Sequence, residues 1–343
     1  MNMRQNRIWV LTSLVICGLF CLAFMSLAED SPWVRKADMP TARIDLSTSA
    51  VNGIIYAIGG AESDNSVALS TVEAYDPTTD IWKKKADMPT RREELATSAV
   101  DGMVYAIGGW LSSDLSTVEA YDPVTDTWAK KADMPTARSA FSTSAVNGII
   151  YAVGGYRGGV YLTTTEAYDP ATDTWTKKAD MPTPRSYFST TAVNGIIYAI
   201  GGWDASVAHA EVEAYDPMTD TWTKKANMPT QNLGISTCAL NGLIYAIGGW
   251  GPVSTVNAYD PVTNTWTRMP DMTTRRAWLS TSVVNGRIYA IGGGTEGTNS
   301  ITEVNVVEEY NWLLAPERPP QSVDAWEKLL TLWGRLKWQN EQQ

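Results

Sequence analysis

The chain has 343 residues, with 27 Lys and Arg against 37 Asp and Glu, and its formal net charge is −10. An acidic chain does not attract nucleic acid non-specifically, and a composition of 44% hydrophobic and 19% charged residues excludes a disordered chain. One His and three Cys, two of them in the N-terminal apolar run, exclude a disulfide framework and zinc or copper sites of several His or Cys; we expect no metal and no cofactor.

The N-terminal segment has the features of an export signal. Two Arg precede an apolar run from Ile8 to about Leu27, and small residues occupy the −3 and −1 positions of a cleavage site after Ala28. We predict that residues 1–28 are a signal peptide and that the protein is secreted or periplasmic, with no membrane span after cleavage. The alternative is an uncleaved anchor, because the run is nearly long enough to span a bilayer.

The rest of the chain repeats with a period of about 47 residues. Gly-Gly pairs begin at positions 59, 108, 154, 201, 248 and 292, and each pair follows a segment such as "IIYAI". A segment "EAYDP" or a variant of it comes next, and in the first five units a Trp lies seven residues after its Tyr. Repeats of this length with glycine and aromatic markers are typical of four-stranded propeller blades.

The unit at residues 43–89 shows how the four strands, a to d, are encoded. Strand a is predicted at 46–51, strand b at 54–60, strand c ends in "VEAYDP", and strand d is predicted at 81–88. Asn-Gly between strands a and b favours a two-residue hairpin turn. The residues of strand a are small because the inner strands converge on the axis, and Trp82 is expected to pack between neighbouring blades.

These markers resemble the kelch repeat. The match consists of Gly-Gly, Tyr-Asp-Pro and Trp, with "MPT-x-R" between units, and it covers residues 31–312 approximately. The resemblance implies an all-β, six-bladed kelch-type β-propeller at residues 29–313. Kelch proteins include adaptors, scaffolds and a few enzymes, so the resemblance specifies the fold more closely than the function.

The sixth unit is incomplete and implies how the ring closes. It supplies strands a to c between Arg276 and Tyr310 but lacks its Trp, whereas Trp33 lies in a strand d with no unit before it. We therefore predict that residues 32–39 complete the sixth blade beside strand c at about 303–310, which removes the open sheet edge.

Variation among the units concentrates in the b–c loops and the d–a connections, which share one face of a propeller. We call this the loop face, and variable loops on a rigid scaffold are where binding usually occurs. Five units carry Arg just before strand a, and the fifth unit has Asn232 instead. The five predicted ligand-binding arginines are Arg43, Arg92, Arg138, Arg185 and Arg276.

Two interpretations of these arginines remain open. Guanidinium groups around a channel mouth bind carboxylates with forked hydrogen bonds, and in kelch adaptor domains Arg at the matching position contacts acidic peptides. The alternative is that each Arg forms an ion pair with an Asp of an "ADMP" segment, such as Asp87 or Asp133. On the first interpretation, replacing Arg138 and Arg185 by Ala abolishes ligand capture without lowering thermal stability.

Aromatic side chains form a second predicted binding group. Four follow the Gly-Gly pairs, and they are Trp110, Tyr156, Trp203 and Trp250. Two positions beyond each Arg the units diverge completely, with Asp45, Glu94, Ala140, Tyr187, Gly234 and Trp278. We predict that Tyr187 and Trp278 join the four in contacting a ligand, because aromatic residues are frequent in binding hot spots. The alternative is packing of the loops against adjacent blades.

Other polar residues carry weaker signals, and we assign no catalytic residue. Glu93 and Glu94 suit acid–base chemistry, but a solvated loop is the favoured interpretation. His209 is expected at the surface, and Cys238 on strand a is expected to be a small buried residue.

The C-terminal segment, residues 314–343, is predicted to be a linker and an amphipathic helix from about 323 to 338. Val323, Trp326, Leu330 and Trp333 recur at helical spacing and give one apolar stripe. Such a stripe must be covered, either by the propeller or by a docking partner of the helix.

The sequence favours an exported binding module that recognises a protein, acidic peptide or glycan at the loop face. An enzyme is the less favoured alternative, since exported six-bladed kelch proteins include a sialic-acid mutarotase. In that case the arginines hold an anionic sugar, and Glu94 or Asp45 carries the proton. A copper oxidase similar to galactose oxidase requires two His and is excluded. A purely architectural spacer is the third hypothesis.

Overall fold

The computed structural model describes residues 31–62, 67–251, 253–296 and 301–311, and these form an all-β, six-bladed propeller without a helix. Each blade is an antiparallel sheet of four strands, ordered a to d from the axis outward. Blade 1 comprises Ser47–Val51, Ile54–Ile58, Val72–Asp76 and Ile81–Lys84. Blade 2 comprises Ala96–Val100, Met103–Ile107, Val118–Asp122 and Thr127–Lys130. Blade 3 comprises Ser142–Val146, Ile149–Val153, Thr165–Asp169 and Thr174–Lys177.

The remaining blades follow the same order. Blade 4 comprises Ser189–Val193, Ile196–Ile200, Val212–Asp216 and Thr221–Lys224. Blade 5 comprises Ser236–Leu240, Leu243–Ile247, Val256–Asp260 and Thr265–Met269. Blade 6 comprises Ser280–Val284, Arg287–Ile291, Val307–Tyr310 and Trp33–Arg35. Three b–c loops carry short hairpins, Ala61–Glu62 with Val67–Ala68, Tyr156–Arg157 with Val160–Tyr161, and Gly294–Glu296 with Ile301–Glu303.

In blade 6 the outermost strand comes from the N-terminal side of the chain. Trp33 lies opposite Tyr310 in the antiparallel register, and the ring centroids of the two side chains are 5.0 Å apart. The Trp33 indole N–H donates to the carbonyl of Pro270 in blade 5 at 3.0 Å. The predicted signal peptide and the predicted C-terminal helix lie outside the described residues.

A repeated set of hydrogen bonds made by a Tyr, an Asp or Asn and a Trp joins each blade to the one before it. In blade 1 the Tyr75 hydroxyl and the Ala37 backbone N–H both donate to Asp80 Oδ1, at 2.6 and 2.9 Å. The Trp82 indole N–H donates to the carbonyl of Ala37 at 2.9 Å, and Trp82 therefore packs between blades as predicted. In blade 6 the carbonyl that accepts from the indole belongs to Pro270, which takes the place of Ala37 and has no N–H to donate.

The Gly-Gly pairs permit the closest approach between blades. A Cβ atom on Gly59, which has a φ of +62°, would lie 2.6 Å from the carbonyl oxygen of Arg92 in the next blade. The backbone at this point therefore requires glycine for both its conformation and its packing.

The a strands line the axis with small hydroxyl side chains, as the sequence predicted. They surround a polar cavity of about 250 Å³, and pairs such as Thr48 and Ser280 (2.9 Å) bond across neighbouring blades. Toward the loop face a ring of larger apolar side chains follows, namely Leu46, Leu95, Phe141, Phe188, Ile235 and Leu279. The candidate site lies directly above this apolar ring, on the side of the loop face.

Candidate functional site

The five predicted ligand-binding arginines form a buried layer, which we call the arginine layer. None of their side chains has exposed surface. In blade 1, Arg43 Nη1 donates to the carbonyls of Gly59 and Thr71, both at 2.8 Å, and Arg43 Nη2 bonds Glu73 Oε2 at 2.8 Å. The other four pairs are Arg92–Glu119, Arg138–Glu166, Arg185–Glu213 and Arg276–Glu308.

These contacts change the role assigned to Arg43, Arg92, Arg138, Arg185 and Arg276. A ligand could not reach such a guanidinium without displacing a carboxylate and several carbonyls of the blade itself. We therefore do not retain the five arginines as ligand-binding residues. Burial lowers the pKa of Arg43 and of Arg92 to about 10, with the paired Glu opposing the change, so both stay charged at neutral pH.

The ion-pair partner also differs from the one the sequence suggested. The Asp of the "ADMP" segment pairs with a lysine of strand d, as Asp87 does with Lys84 at 3.3 Å and Asp133 with Lys130 at 3.5 Å. The buried partner is instead the Glu of the "VEAYDP" segment on strand c, whose other oxygen accepts from a Thr hydroxyl, for example Thr41 to Glu73 at 2.9 Å.

Two positions beyond the arginines, the chain forms a ring around the axis, which we call the axial collar. Each of its residues donates its backbone N–H to the carbonyl of the preceding member, and the ring of six bonds, 2.8 to 3.2 Å long, is closed. All six residues have φ between 48° and 63°, the left-handed region. The members are Asp45, Glu94, Ala140, Tyr187, Gly234 and Trp278.

The collar conformation is unfavourable for five of its six residues, because only Gly234 is glycine. A non-glycine residue in the left-handed region is destabilised by about 1–2 kcal/mol, and such strain persists where the surrounding structure fixes it. Here the closed ring of backbone hydrogen bonds fixes it. The backbone is therefore constant while the six side chains are free to differ.

The collar and the apolar ring beneath it enclose a pocket of about 100 Å³ at the axial mouth. The Tyr187 hydroxyl passes over the small Ala140 and donates a short hydrogen bond to Glu94 Oε1. On the other side the Trp278 indole covers Gly234, where a Cβ atom would lie 3.1 Å from the ring. Small residues at two collar positions thus make room for the large side chains at the next ones.

Three carboxyl groups at or beside the mouth have raised pKa values. Burial raises the pKa of Asp45 well above its ordinary value, and the neighbouring Glu94 and Glu93 raise it further. Burial also raises the pKa of Glu94, against the lowering effect of the Tyr187 hydrogen bond, and burial raises the pKa of Glu93 to about 7. Burial therefore disfavours the ionised form of these carboxyl groups, and a carboxyl group that keeps its proton both donates and accepts hydrogen bonds.

The aromatic residues predicted after the Gly-Gly pairs all lie on the loop face, but only Trp250 packs against a residue that lines the pocket. Trp250 is 51% exposed, and its ring packs against Trp278 with centroids 5.0 Å apart. Trp110, Tyr156 and Trp203 are half-buried in separate loops, each bridged to the residue that follows an arginine. The structure thus joins Trp250 with Trp278 and Tyr187 with Glu94, and leaves the other three apart.

Several sequence expectations need correction. Glu93 and Glu94, expected in a solvated loop, are half-buried at the mouth. His209, expected at the surface, is buried with Nδ1 3.0 Å from Glu211 Oε2 and Nε2 3.2 Å from Asp204 Oδ2. Cys238 is buried as predicted. Asp45 and Glu94 were not predicted as binding residues, although their divergence among near-identical units was the signal that could have identified them.

Two classes of feature are missing from the described part of the chain. Within residues 31–62, 67–251, 253–296 and 301–311, no group of three or more His, Cys, Asp or Glu is arranged to hold a metal ion. The same residues contain no helix long and apolar enough to cross a bilayer.

Comparisons with known proteins agree with this architecture. The family model of the KLHDC2/KLHL20/DRC7 kelch-repeats domain matches residues 131–293, and the kelch motif matches 42–89 and 91–135. An F-box/kelch-repeat protein of Arabidopsis thaliana is 45% identical over 47 residues, which is 14% of this chain and 12% of that protein. The structure of YjhT superposes with a TM-score of 0.69 at 16% identity, covering 79% of this chain and 95% of that one.

The likeness to YjhT is a likeness of fold alone. The family matches extend from residue 42 to residue 293 and fall on the blades described above. The chain belongs to the kelch-repeat family of β-propeller proteins.

Proposed function

We propose that the protein is an exported binding module that holds an uncharged, hydroxyl-rich ligand, a neutral glycan, at the axial mouth of its loop face. The observation that carries the proposal is the axial collar. Six strained residues display side chains of unlike chemistry on one constant backbone, and strained positions of this kind concentrate at ligand-binding sites.

The chemistry of the mouth selects the ligand class. Trp278 and Trp250 present indole surface on which a sugar ring packs, while Asp45, Glu94 and Tyr187 supply hydrogen bonds to hydroxyl groups. A pocket of about 100 Å³ takes the edge of one sugar ring and leaves the rest of the glycan on the loops. The glycan can be free or carried by a protein, which agrees with the role of many kelch propellers in protein interactions.

Anionic ligands fit this mouth less well. The arginines that would have held an acidic peptide or a sialic acid are buried, and the carboxyl groups that line the pocket are those of Asp45 and Glu94. We therefore do not carry the acidic peptide forward. The mutarotase hypothesis loses its anion-binding residues in the same way, although Glu94 and Asp45 remain suitable proton carriers.

An array of immobilised neutral glycans, sialylated glycans and acidic peptides tests the proposal with the full chain. We expect retention of neutral glycans, and retention should fall more than about tenfold in the variant Trp278→Ala, because a stacked aromatic anchor is lost. Met218→Ala is the matched control, since Met218 is 92% exposed on the opposite face. Circular dichroism verifies that both variants are folded.

Two results of this experiment count against the proposal. Retention restricted to acidic peptides or sialylated glycans contradicts the ligand class. Retention of neutral glycans that is equal in the wild type, in Trp278→Ala and in Asp45→Asn/Glu94→Gln places the site elsewhere.

Export is the second part of the proposal and rests on the N-terminal sequence. Mass spectrometry of the protein recovered from outside the host cytoplasm should give a chain that begins at Glu29. An intact N-terminus on a membrane-associated protein supports the uncleaved anchor instead.

A further inference from the structure

Blade 5 departs from the arginine layer at two positions at once. Asn232 replaces the arginine before strand a, and Asn257 replaces the glutamate of strand c. Losing one charge alone would leave its partner buried and unpaired, which is strongly destabilising, so the paired loss is physically consistent. The blade nevertheless keeps the backbone that surrounds a guanidinium in the other five blades.

Blade 1 shows what that backbone provides. The guanidinium of Arg43 donates to three carbonyl oxygens, those of Gly59 and Thr71 at 2.8 Å and that of Ala57 at 3.2 Å. Together with the Glu73 carboxylate, these oxygens match the planar fork of N–H groups on an arginine side chain.

The equivalent oxygens of blade 5 have fewer donors. Asn232 Nδ2 reaches one of them, the carbonyl of Gly248, at 3.1 Å. Its Oδ1 turns away and accepts the backbone N–H of Trp250 at 2.9 Å. Among the described residues, the carbonyls of Ala246 and Thr255 receive no hydrogen bond from a side chain.

The surroundings of this missing side chain are slightly more accessible in blade 5 than in the other blades. Met228 is 7% exposed, whereas the five equivalent methionines are at most 3% exposed. Ala246 is 4% exposed, whereas its five equivalents are fully buried. Asn257 is partly exposed, whereas the five strand-c glutamates are at most 4% exposed. Met228, Ala246 and Asn257 are therefore each more accessible than the equivalent residues of the other blades. We call the space between them, where the other blades hold an arginine side chain, the recess.

We propose that this recess in blade 5 binds the guanidinium group of an arginine side chain presented by a partner protein. The equivalent three carbonyls all accept from a guanidinium in blades 1, 2, 4 and 6, and two of them do so in blade 3. In blade 5 the carbonyls of Ala246 and Thr255 are the corresponding acceptors, beside the Gly248 carbonyl that Asn232 also reaches.

The position of the recess suits contact with a partner. It opens on the loop face beside Trp250, whose backbone is bonded to Asn232 and whose side chain is half-exposed. An arginine entering the recess would lie next to this indole, and aromatic and arginine residues are the commonest anchors of protein interfaces. The recess is built from blade 5 alone and is separate from the axial mouth, so it goes beyond the proposed glycan site.

Titration of the full chain with N-acetyl-arginine amide, followed by NMR, tests the inference. We expect saturable shifts for the backbone amides of Trp250 and Asn232, and binding of N-acetyl-lysine amide more than about tenfold weaker, because an ammonium cannot reproduce the fork. An arginine-containing peptide in a second arm should bind more tightly than the single residue if the source is a protein.

Variants make the assignment specific. Asn232→Arg/Asn257→Glu fills the recess from within, so it should abolish binding of the probe and raise the melting temperature. Arg138→Asn/Glu166→Asn copies the recess into blade 3 and should raise the stoichiometry from one to two. Equal binding of the probe by wild type and Asn232→Arg/Asn257→Glu, no binding by wild type, or equal binding of the lysine probe would each overturn the inference. Neutral glycan retention is unaffected by any of these results.

Discussion

The arginine layer and the axial collar lie two residues apart in the sequence of each blade, but they follow opposite rules. The arginine layer repeats one residue in five blades, with the same buried contacts in each. The collar repeats one backbone conformation in all six blades and never the same side chain. The arginine layer therefore maintains the propeller, whereas the axial collar presents the side chains that differ from blade to blade.

The difference has a physical cause. A guanidinium whose Nη groups bond one blade's own carbonyls and carboxylate cannot be exchanged for another side chain without leaving a buried group unsatisfied. A collar residue is fixed only through its backbone N–H and C=O, which every residue except proline possesses. In a chain of near-identical units, repetition therefore marks structure and divergence marks the candidate site.

The largest effect is expected for Arg138→Ala. Its Nη1 bonds the carbonyls of Gly154 and Thr164, and its Nη2 bonds Glu166, so truncation leaves a buried carboxylate without its cation. We expect the free energy of unfolding to fall by about 3–5 kcal/mol, measured by urea denaturation. This replaces the sequence-based expectation that removing arginines leaves stability unchanged.

Arg138→Met/Glu166→Gln is the control for that experiment. It removes both charges and fills part of the space, so it should recover much of the stability that Arg138→Ala loses. Unchanged stability in Arg138→Ala, together with loss of glycan retention, would return the arginines to the set of binding residues.

The second prediction concerns the pH dependence that the mouth introduces. The pKa of Glu93 is raised from 4.5 to about 7, so the folded protein keeps a proton that the unfolded chain releases between these values. The stability that Glu93 contributes is fully present below pH 4.5 and is lost as the pH rises toward 7. Discounted for the exposure of Glu93, the loss is about 1–2 kcal/mol between pH 5 and pH 8.

Thermal unfolding at pH 5 and pH 8 measures this loss, and Glu93→Gln should reduce it. The turn aspartates Asp76 and Asp122, whose pKa values are lowered by hydrogen bonds to the turn, titrate below this window and do not obscure it. Stability that is flat or rises from pH 5 to pH 8 contradicts the raised pKa values of the mouth.

The sequence was sufficient to predict the blade number and the strands, because Gly-Gly, Tyr and Trp recur once per blade. Few other residues fit these positions, since the glycines permit close packing between blades and the Tyr and Trp side chains form the hydrogen bonds that join one blade to the next. Strand a was predicted at 46–51 and lies at Ser47–Val51. Cys238 was placed correctly for the same reason, since its neighbours on strand a are small and buried.

The site was predicted only in part. The arginines were assigned to a ligand because the sequence shows that they lie near the axis. The sequence does not show that their side chains point into the blade, because that direction depends on Glu73 and its equivalents some thirty residues away. The raised pKa values of Asp45 and Glu94 arise from burial and from the proximity of different blades, which no local pattern encodes. Tyr187 and Trp278 were predicted because divergence among the units is visible without a structure, and both line the pocket at the axial mouth.

A smaller effect is expected for Tyr187→Phe. The hydroxyl donates a hydrogen bond to Glu94 across Ala140 and lowers the pKa of that carboxyl. Its loss should reduce the free energy of unfolding by about 1 kcal/mol, and by more at pH 8 than at pH 5, because the ionised Glu94 loses a donor. Tyr156→Phe, on the neighbouring loop, is the control and should leave the denaturation midpoint unchanged. An equal loss at both pH values would mean that the hydroxyl contributes by packing alone.

The smallest effect is expected for Ala140→Gly, two residues from Arg138. Glycine relieves the strain of a φ of 48°, about 1–2 kcal/mol, but it also increases the entropy of the unfolded chain, which costs about 0.5–1 kcal/mol, so the two effects largely offset each other. The denaturation midpoint should therefore stay close to that of the wild type. Ala140→Val, in contrast, should be clearly destabilising, because a β-branched residue is strongly disfavoured at positive φ. None of the six collar residues is β-branched, and equal stability of the two variants would show that the collar backbone is not the constraint.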